Sequence, residues 1–444
     1  MRRALYVAAF DSQLKWCGRI RDELELRGFT TEVVRPDSRS ALSEQQIADA
    51  GFDEVPILSK DELVDRMIAS DVVVLSLQGP ATQVLLFALA ERLEATERLD
   101  GAAGPGPVVV TGWVGVIIEK ITAGYLARCG SDVVAVNSVS DLEHFQHAAR
   151  HLGLPADNLL LAGLPFLSAA PSPAIEGTVK RLLFADQPTV PSAAAEREYL
   201  YAGAIAYARA HPDREVLLKP RHRPDEDTFH KMRFHPEVLL AGVDVPSNFS
   251  IDYTAIAELL PSVDLLVTVS STACLEALDH GRRVALVLDL GVHERYGNHV
   301  LLESGLLRTW EQISADDLGT PDPQWLASYF FPRDRSSNQA IGDRVEELLS
   351  SGERPAAGVR ASAYFRSAAA YDRVRPQREL RPASSGRRRL RPRDFVPPVL
   401  HRPVRSGVRE LRSVVTRLRL RHVESGVEAQ EPDQAPSASR RMFP

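Results

Sequence analysis

The sequence predicts an α/β protein built from two doubly wound parallel-sheet units that face a cleft, followed by a basic tail. Three observations carry this. Short, nearly all-apolar runs recur over the first 350 residues, each followed by a stretch with helical spacing. Strands that alternate with helices build parallel sheets, and strands covered on both faces lose the apolar–polar alternation. The pattern pauses once, in the Pro-, Ala- and Ser-rich stretch 164–179, then restarts, and beyond about residue 351 it stops.

In the first unit, residues 1–163, the strand runs are "ALYVAAF" (4–10), "TTEVV" (30–34), "DVVVLSL" (71–77), "PVVVTG" (107–112), "DVVAVNS" (132–138) and "NLLLAG" (158–163). Helical spacing fills 12–27, 61–69, 81–98, 115–129 and 139–152. The stretch 164–179 is a linker by composition. The second unit, 180–350, restarts with "RLLFAD" (181–186), "REVLLKP" (214–220), "EVLLAG" (237–242), "DLLVTVS" (264–270) and "RVALVLD" (283–289). Its helices are expected near 192–210, 253–261 and 271–281, and a last helix, about 337–350, is placed to cross back to the first unit. In such sheets ligands bind beyond the carboxyl ends of the strands, here in the cleft between the units.

The chain has 444 residues, 44% hydrophobic and 25% charged, ordinary values for a globular protein. Its three cysteines, Cys17, Cys129 and Cys274, match no disulfide framework or metal spacing, which fits a reducing cytoplasm. No apolar run is long enough to span a membrane, and "MRRALYVAAFDS" reads as a first strand rather than a signal peptide. The net charge of −6 divides unevenly: residues 351–444 hold 21 Arg, no Lys and nine acidic residues, giving +12, so the rest carries −18. The tail 351–444 is Arg- and Pro-rich and reads as largely disordered. Within it, 406–426 sets Val408, Leu411, Val415 and Leu418 at helical spacing among arginines, a short basic amphipathic helix that suits an anionic membrane surface or a partner protein, unless the segment is simply part of a disordered basic tail.

The chemistry-bearing residues lie at strand ends. Ser270, Ser271 and Thr272 follow "DLLVTV" and open the helix "ACLEALDHG". One hydroxyl is enough to cap a helix; three in a row beside free N–H groups and the positive end of a helix dipole also suit a phosphate. "VLLKPRHRP" puts Lys219, Arg221, His222 and Arg223 after another strand. Clustered cations suit an anionic ligand, or form an exposed charged loop. Asp186 and Gln187 end the strand "RLLFAD", and Glu276 sits one helical turn beyond Thr272, within reach of a ribose hydroxyl. In the first unit Asp11 and Ser12 end the first strand, with Lys15 one turn on. Asp11 is placed either to take a proton from an acceptor hydroxyl or to cap its helix. In "TGWVGV", Gly112 lets a ligand approach the backbone, and Trp113 can stack on a sugar or pack in the core. There is no Gly-rich phosphate loop, no GxGxxG, and no Asp-x-Asp at a convincing strand end.

A strand, Ser-Ser-Thr, "ACLEAL", and then "HGRRVALV" resembles the carboxyl-terminal domain of GT-B glycosyltransferases. The resemblance is nearest to bacterial sialyltransferase- and polysialyltransferase-like enzymes and to glycerophosphate polymerases of wall and capsule synthesis. It covers residues 180–290, and the first unit matches in layout. Those sialyltransferases hold the donor phosphate with a His-Pro motif after one strand and a Ser-Ser or Ser-Thr motif after a later one. Carried over, His222 takes the first role and Ser270 to Thr272 the second, although this chain reads His222-Arg223-Pro224 and its literal His-Pro pairs are His211-Pro212 and His235-Pro236.

The resemblance implies two Rossmann-like domains and a cytoplasmic glycosyltransferase in polysaccharide biosynthesis, which the basic 406–426 helix could hold at the inner face of the membrane. It would move a sugar from a nucleotide-activated donor to a glycan or lipid-linked acceptor. The expected donor-site residues are Gln187, Lys219, Arg221, His222, Ser270, Ser271, Thr272 and Glu276. The acceptor side holds Ser12, Lys15, Gly112 and Trp113, with Asp11 as base. No metal, no further cofactor and no specific nucleic acid are expected. A glycerophosphotransferase using the same pocket, a nucleotide-sugar 2-epimerase of the same layout, and a non-catalytic nucleotide-binding protein are the alternatives.

Overall fold

The computed structural model describes residues 1–37, 42–100, 105–224 and 232–374. Among these residues thirteen strands form two all-parallel sheets. The first holds β1 (Arg3–Ala8), β2 (Thr30–Pro36), β3 (Ile57–Leu58), β4 (Val72–Ser76), β5 (Val108–Gly112), β6 (Val133–Val136) and β7 (Leu159–Leu161), in the order 3-2-1-4-5-6-7. The second holds β8 (Arg181–Ala185), β9 (Glu215–Lys219), β10 (Phe249–Ile251), β11 (Leu265–Thr268), β12 (Arg283–Val287) and β13 (Leu307–Arg308), in the order 10-9-8-11-12-13. In each sheet the strand order turns back on itself between the first strand and its later neighbour, β1 beside β4 and β8 beside β11. The expected fold, two parallel-sheet α/β units of the GT-B kind, is what the chain adopts.

The first sheet's helices are α1 (Asp11–Leu26), α2 (Glu44–Asp49), α3 (Lys60–Ile68), α4 (Gly79–Asp100), α5 (Ile121–Leu126) and α6 (Val139–His151). Leu14, Cys17, Ile20 and Leu24 of α1 recur every three or four residues and are all buried on one face of the sheet. The second sheet carries α7 (Ala194–Ala210), α8 (Pro236–Leu239), α9 (Ile256–Leu259), α10 (Ala273–Asp279), α11 (Trp310–Ser314) and α12 (Pro323–Tyr329). Then α13 (Ser337–Ser351) returns to the first sheet, where Ile341, Val345 and Leu348 join the core beneath α1.

Three segments differ from the sequence reading. "EVLLAG" is not a strand: Pro236 opens α8, His235 accepts from the Glu237 N–H to cap it, and Gly242 turns the chain at φ 79°, so β10 forms only at Phe249. The helix expected at 115–129 shrinks to α5, preceded by left-handed Lys120 at φ 54°, because the β-branched and Gly-containing stretch 113–120 is an extended loop instead. The helical fold continues past 351, through α14 (Pro355–Ala361) and α15 (Ala363–Val374). Their anchors are few and set among Ala and Arg, a weak signal in sequence. Ala356 and Val359 are buried, and Phe365 lies over Gly130, where a Cβ would sit 2.6 Å from its ring. Buried Asp132 accepts from the N–H groups of Val109 and Ala356, tying α14 to β5.

The expected helix at 406–426 lies outside the described residues. No described helix is long and apolar enough to cross a membrane. Phe365→Ala removes a ring that is 5% exposed and should lower stability by about 3–5 kcal/mol in urea unfolding. A change within about 0.5 kcal/mol, as for a surface residue, would show that α15 does not close this side of the fold.

Candidate active site at the facing strand ends

The carboxyl ends of the two sheets meet. Asp11, just past β1, pairs with Arg221, just past β9, at 3.4 Å. The loop after β5 reaches the residues after β11: a Cβ on Gly115 would lie 3.3 Å from the Thr272 hydroxyl. One on Gly297, at φ 72°, would lie 2.5 Å from Ile118 and 3.5 Å from Ser270 Oγ. The structure therefore gathers Asp11, Arg221, Ser270 and Thr272 along one seam.

The strand order of the second sheet turns back between β8 and β11, and Gln187 bridges that point. Its Oε1 accepts the Ser270 N–H at 2.9 Å, and its Nε2 donates to Ser270 Oγ at 3.2 Å. The Ser270 hydroxyl in turn donates to the Tyr296 carbonyl at 2.5 Å. Gln187 is held from behind by a buried ion pair. Arg197 reaches both Asp186 oxygens at 3.0 Å, each side chain being 1% exposed, and also donates to the Gln187 and Pro188 carbonyls. Tyr201 donates to the same carboxylate at 2.6 Å and the Gln187 N–H at 2.8 Å. Burial pushes the Asp186 carboxyl up, and Arg197 and Tyr201 pull it back.

These bonds answer the capping question for the three hydroxyls. Ser271 Oγ accepts from the Ala273 N–H at 3.3 Å, a long capping bond at the start of α10. Thr272 occupies the N-cap position without a side-chain bond, and Ser270 is turned inward to Gln187 and Tyr296. Gln187 and Ser270 thus brace the strand ends, while Ser271 and Thr272 are half-buried at the seam.

The loop after β9 corrects one assignment. His222 is buried; its Nδ1–H donates to the Arg223 carbonyl at 2.7 Å and its Nε2 accepts the Met232 N–H at 3.0 Å. Both ring nitrogens are used, so the ring fixes the loop and has no group left for a phosphate. Its carbonyl accepts from His235 Nε2 at 3.0 Å. The literal His235-Pro236 pair, which follows no strand, therefore packs against His222 after all. Arg223 lies over the Tyr253 ring at 4.4 Å. Lys219 sits at the end of β9, its Nζ 3.4 Å from the Pro220 carbonyl, and Arg221 is half-exposed towards the first half.

In the first half, α1 begins at Asp11 and its N-cap is Phe10, so Asp11 does not cap the helix. Its carboxylate is turned to Arg221 instead. Ser12 is half-buried beside it and Lys15 is exposed one turn on. Gly112 and Trp113 are taken up by packing, which corrects both. A Cβ on Gly112 would meet Trp16 at 2.8 Å, so it is a side chain that needs the missing Cβ, not a ligand. Trp113 stacks on Phe145 at 5.1 Å and lies under the Arg128 guanidinium at 4.5 Å, the surfaces a sugar would need. Arg128 is 5% exposed and donates to the carbonyls of Leu77, Gly112 and Gly124; burial pulls it down to about 10.

Glu276 is half-buried on α10, and its carboxylate has no hydrogen bond among the described residues. Burial pushes its carboxyl up, opposed by nearby Arg19. Two groups escaped the sequence reading. Arg197 was hidden in an Ala-rich helix that gives no sign of a buried charge. The loop after β12, with Tyr296 and Gly297, carries the glycine spacing of a strand-end turn, which is a usable signal.

Two parallel-sheet halves with facing carboxyl edges and hydroxyl, carboxylate and guanidinium groups at the seam define a GT-B-type protein. A family model described as "Putative glycosyltransferase (DUF6716)" matches residues 4–348, and the chain belongs to that family. No curated protein matches it by sequence. Among solved structures it is similar to a "putative UDP-N-acetylglucosamine 2-epimerase from Listeria monocytogenes", at 12% identity over 80% of this chain and 98% of that one, with TM-score 0.50. It is also similar to the UDP-GlcNAc 2-epimerase from Neisseria meningitidis bound to UDP-GlcNAc, at 12% identity over 79% and 99%, with TM-score 0.45. For Acinetobacter baumannii MurG the values are 10%, 84%, 99% and 0.41. At such identities the first likeness speaks for the fold alone.

Arg197→Met should destabilise the protein by about 3–5 kcal/mol in chemical unfolding, because it strands the Asp186 charge; an unchanged midpoint would show that the pair is not buried in solution. Glu276→Gln should do the reverse. A carboxyl raised by burial favours folding while protonated and loses that contribution as pH rises through its folded value. The variant should therefore melt higher than the parent at pH 7, with the gain fading towards pH 4. A gain that grew at low pH would reverse the assignment.

Proposed function

We propose that the protein is a glycosyltransferase that moves a sugar from a nucleotide-activated donor, bound by the second half, to a glycan or lipid-linked acceptor on the first half. The family description supports glycosyl transfer. The observation that carries the finer reading is the Asp11–Arg221 pair across the seam.

The pair joins the one carboxylate after β1 to a cation after β9, with side chains 25% and 46% exposed. An ion pair that open to water is worth about 1 kcal/mol or less, so it is readily exchanged. A donor phosphate entering beside Arg221 and the Ser271–Thr272 hydroxyls offers the guanidinium a stronger, charge-assisted partner. Arg221 then leaves Asp11. The freed carboxylate takes the proton of the acceptor hydroxyl as that oxygen attacks the sugar's anomeric carbon, and the bond to the nucleotide phosphate breaks. Arg221 and the start of α10 stabilise the charge on the leaving phosphate. Lys219 adds positive potential, Glu276 is placed for a ribose hydroxyl, and Ser12 and Lys15 line the acceptor side. Gln187, Ser270 and His222 hold this arrangement in shape.

The test uses full-length protein and a panel of CMP-, UDP-, GDP-, TDP- and CDP-linked sugars in thermal shift, followed by product analysis. A donor at a hundredfold excess over its dissociation constant stabilises by about 2.7 kcal/mol. A glycoside product supports the reading, whereas a phosphodiester would assign the glycerophosphotransferase alternative. Arg221→Ala should weaken donor binding by about 1.5–3 kcal/mol. Asp11→Asn should bind donor as tightly as the parent, or tighter, yet abolish turnover. Weakened donor binding in Asp11→Asn, or undiminished turnover, would remove Asp11 as the base.

A further inference from the structure

Away from the seam, towards the amino end of β2, a cavity of about 410 Å³ opens between α1, β2 and the turn 51–56. None of its lining residues belongs to the site described above. Its volume lies in the range of small-molecule sites.

Tyr6 of β1 lines this cavity. The side chain is fully buried, and its hydroxyl has no hydrogen-bond partner among the described residues. A buried, unsatisfied hydroxyl is costly unless something comes to meet it. Burial first, and the nearby Cys17 and Glu25, push the phenol up, so it stays protonated and offers both a donor and a lone pair.

The walls are mostly acidic. Glu25, Glu32, Asp53 and Glu54 line the cavity. Glu25 accepts from the Thr31 hydroxyl, and Glu32 pairs with Arg66 at 2.8 Å. Asp53 and Glu54 are exposed at the rim, with no ion pair or hydrogen bond among the described residues. The cavity's own cation, Arg21, is committed elsewhere: it donates to the Gly51 carbonyl and to Asp22, and rests on the Phe52 ring at 4.3 Å. It shows that this wall accommodates a guanidinium on an aromatic face. The carboxylates are spread around the opening, and among the described residues no three acidic, His or Cys side chains are grouped as a metal site. Carboxylates spread around Val33, Phe52 and Pro56, with Tyr6 also in the lining, suit a nitrogen cation on an organic stem rather than a bare metal ion.

We propose that this cavity binds a small organic cation, an ammonium or guanidinium group on a short apolar stem. Asp53 and Glu54 pair with its charge, and the Tyr6 hydroxyl accepts one of its N–H groups. The proposal stands apart from the glycosyl-transfer reading and does not depend on it.

Full-length protein is titrated with agmatine and with spermidine at low salt, followed by calorimetry, with Mg²⁺ as the control ion. At least one of the two amines should bind saturably, and Mg²⁺ should not displace it. The double variant Asp53→Asn, Glu54→Gln should weaken that binding by at least about tenfold. Tyr6→Phe should weaken it several-fold with an unchanged or raised melting temperature, since no partner is lost on folding. Four results would each overturn the site: no saturable binding of either amine, equal affinity in the double variant, unchanged affinity in Tyr6→Phe, or displacement by equimolar Mg²⁺.

Discussion

A parallel sheet covered on both faces has its backbone bonds closed by neighbouring strands and its side chains closed by helices. Only the strand ends are left open. This constraint governs the whole molecule. Every strand of the first sheet from β4 to β6 is fully buried, so no polar group with chemistry to perform can sit on it. Asp11, Gln187, Arg221 and Ser270 all lie within three residues of a strand's carboxyl end. Because the two sheets present these ends to each other, residues 210 positions apart in sequence become neighbours, as Asp11 and Arg221 do.

The same constraint explains what could be read in the sequence. Apolar runs of four to seven residues marked nearly every long strand, because burial on both faces removes ambiguity about the pattern. "EVLLAG" failed because a short apolar run cannot distinguish a strand from a helical turn; Pro236 and Gly242 carried the missing information. Strand-end position correctly pointed to the seam but could not say which way a side chain turns. His222 and Ser270 are in the right place and face inward, and Gly112 and Trp113 serve packing. Such orientation depends on partners far along the chain, such as Met232 for His222 and Trp16 for Gly112.

Charges are buried where shape matters more than cost. Arg128 sits against three carbonyls, those of Leu77 and Gly112 at the ends of β4 and β5 and of Gly124 in α5, without a carboxylate among the described residues, and closes the first sheet over the Trp113 ring. Asp186 and Arg197 do the corresponding work in the second sheet, with seven directional bonds that an apolar pair of equal volume would not supply. Such pairs rarely add net stability over hydrophobic packing, but they fix one arrangement of the atoms around them. Here that arrangement is the carbonyl and side chain of Gln187, and through them Ser270.

The return of α13 to the first sheet has a consequence for how the chain is made. The first half is interrupted: its core draws on β1 to β7 and then, beyond the whole second sheet, on Ile341, Val345 and Leu348. During synthesis the face of α1 that bears Cys17, Ile20 and Leu24 has no complete cover until α13 has left the ribosome. At about 5–20 residues per second, the roughly 180 residues between β7 and α13 take on the order of 10–35 s. The second half, continuous in sequence from 181 to 329, meets no such delay. The later-made half is therefore the one able to fold first, and the earlier-made half is finished last.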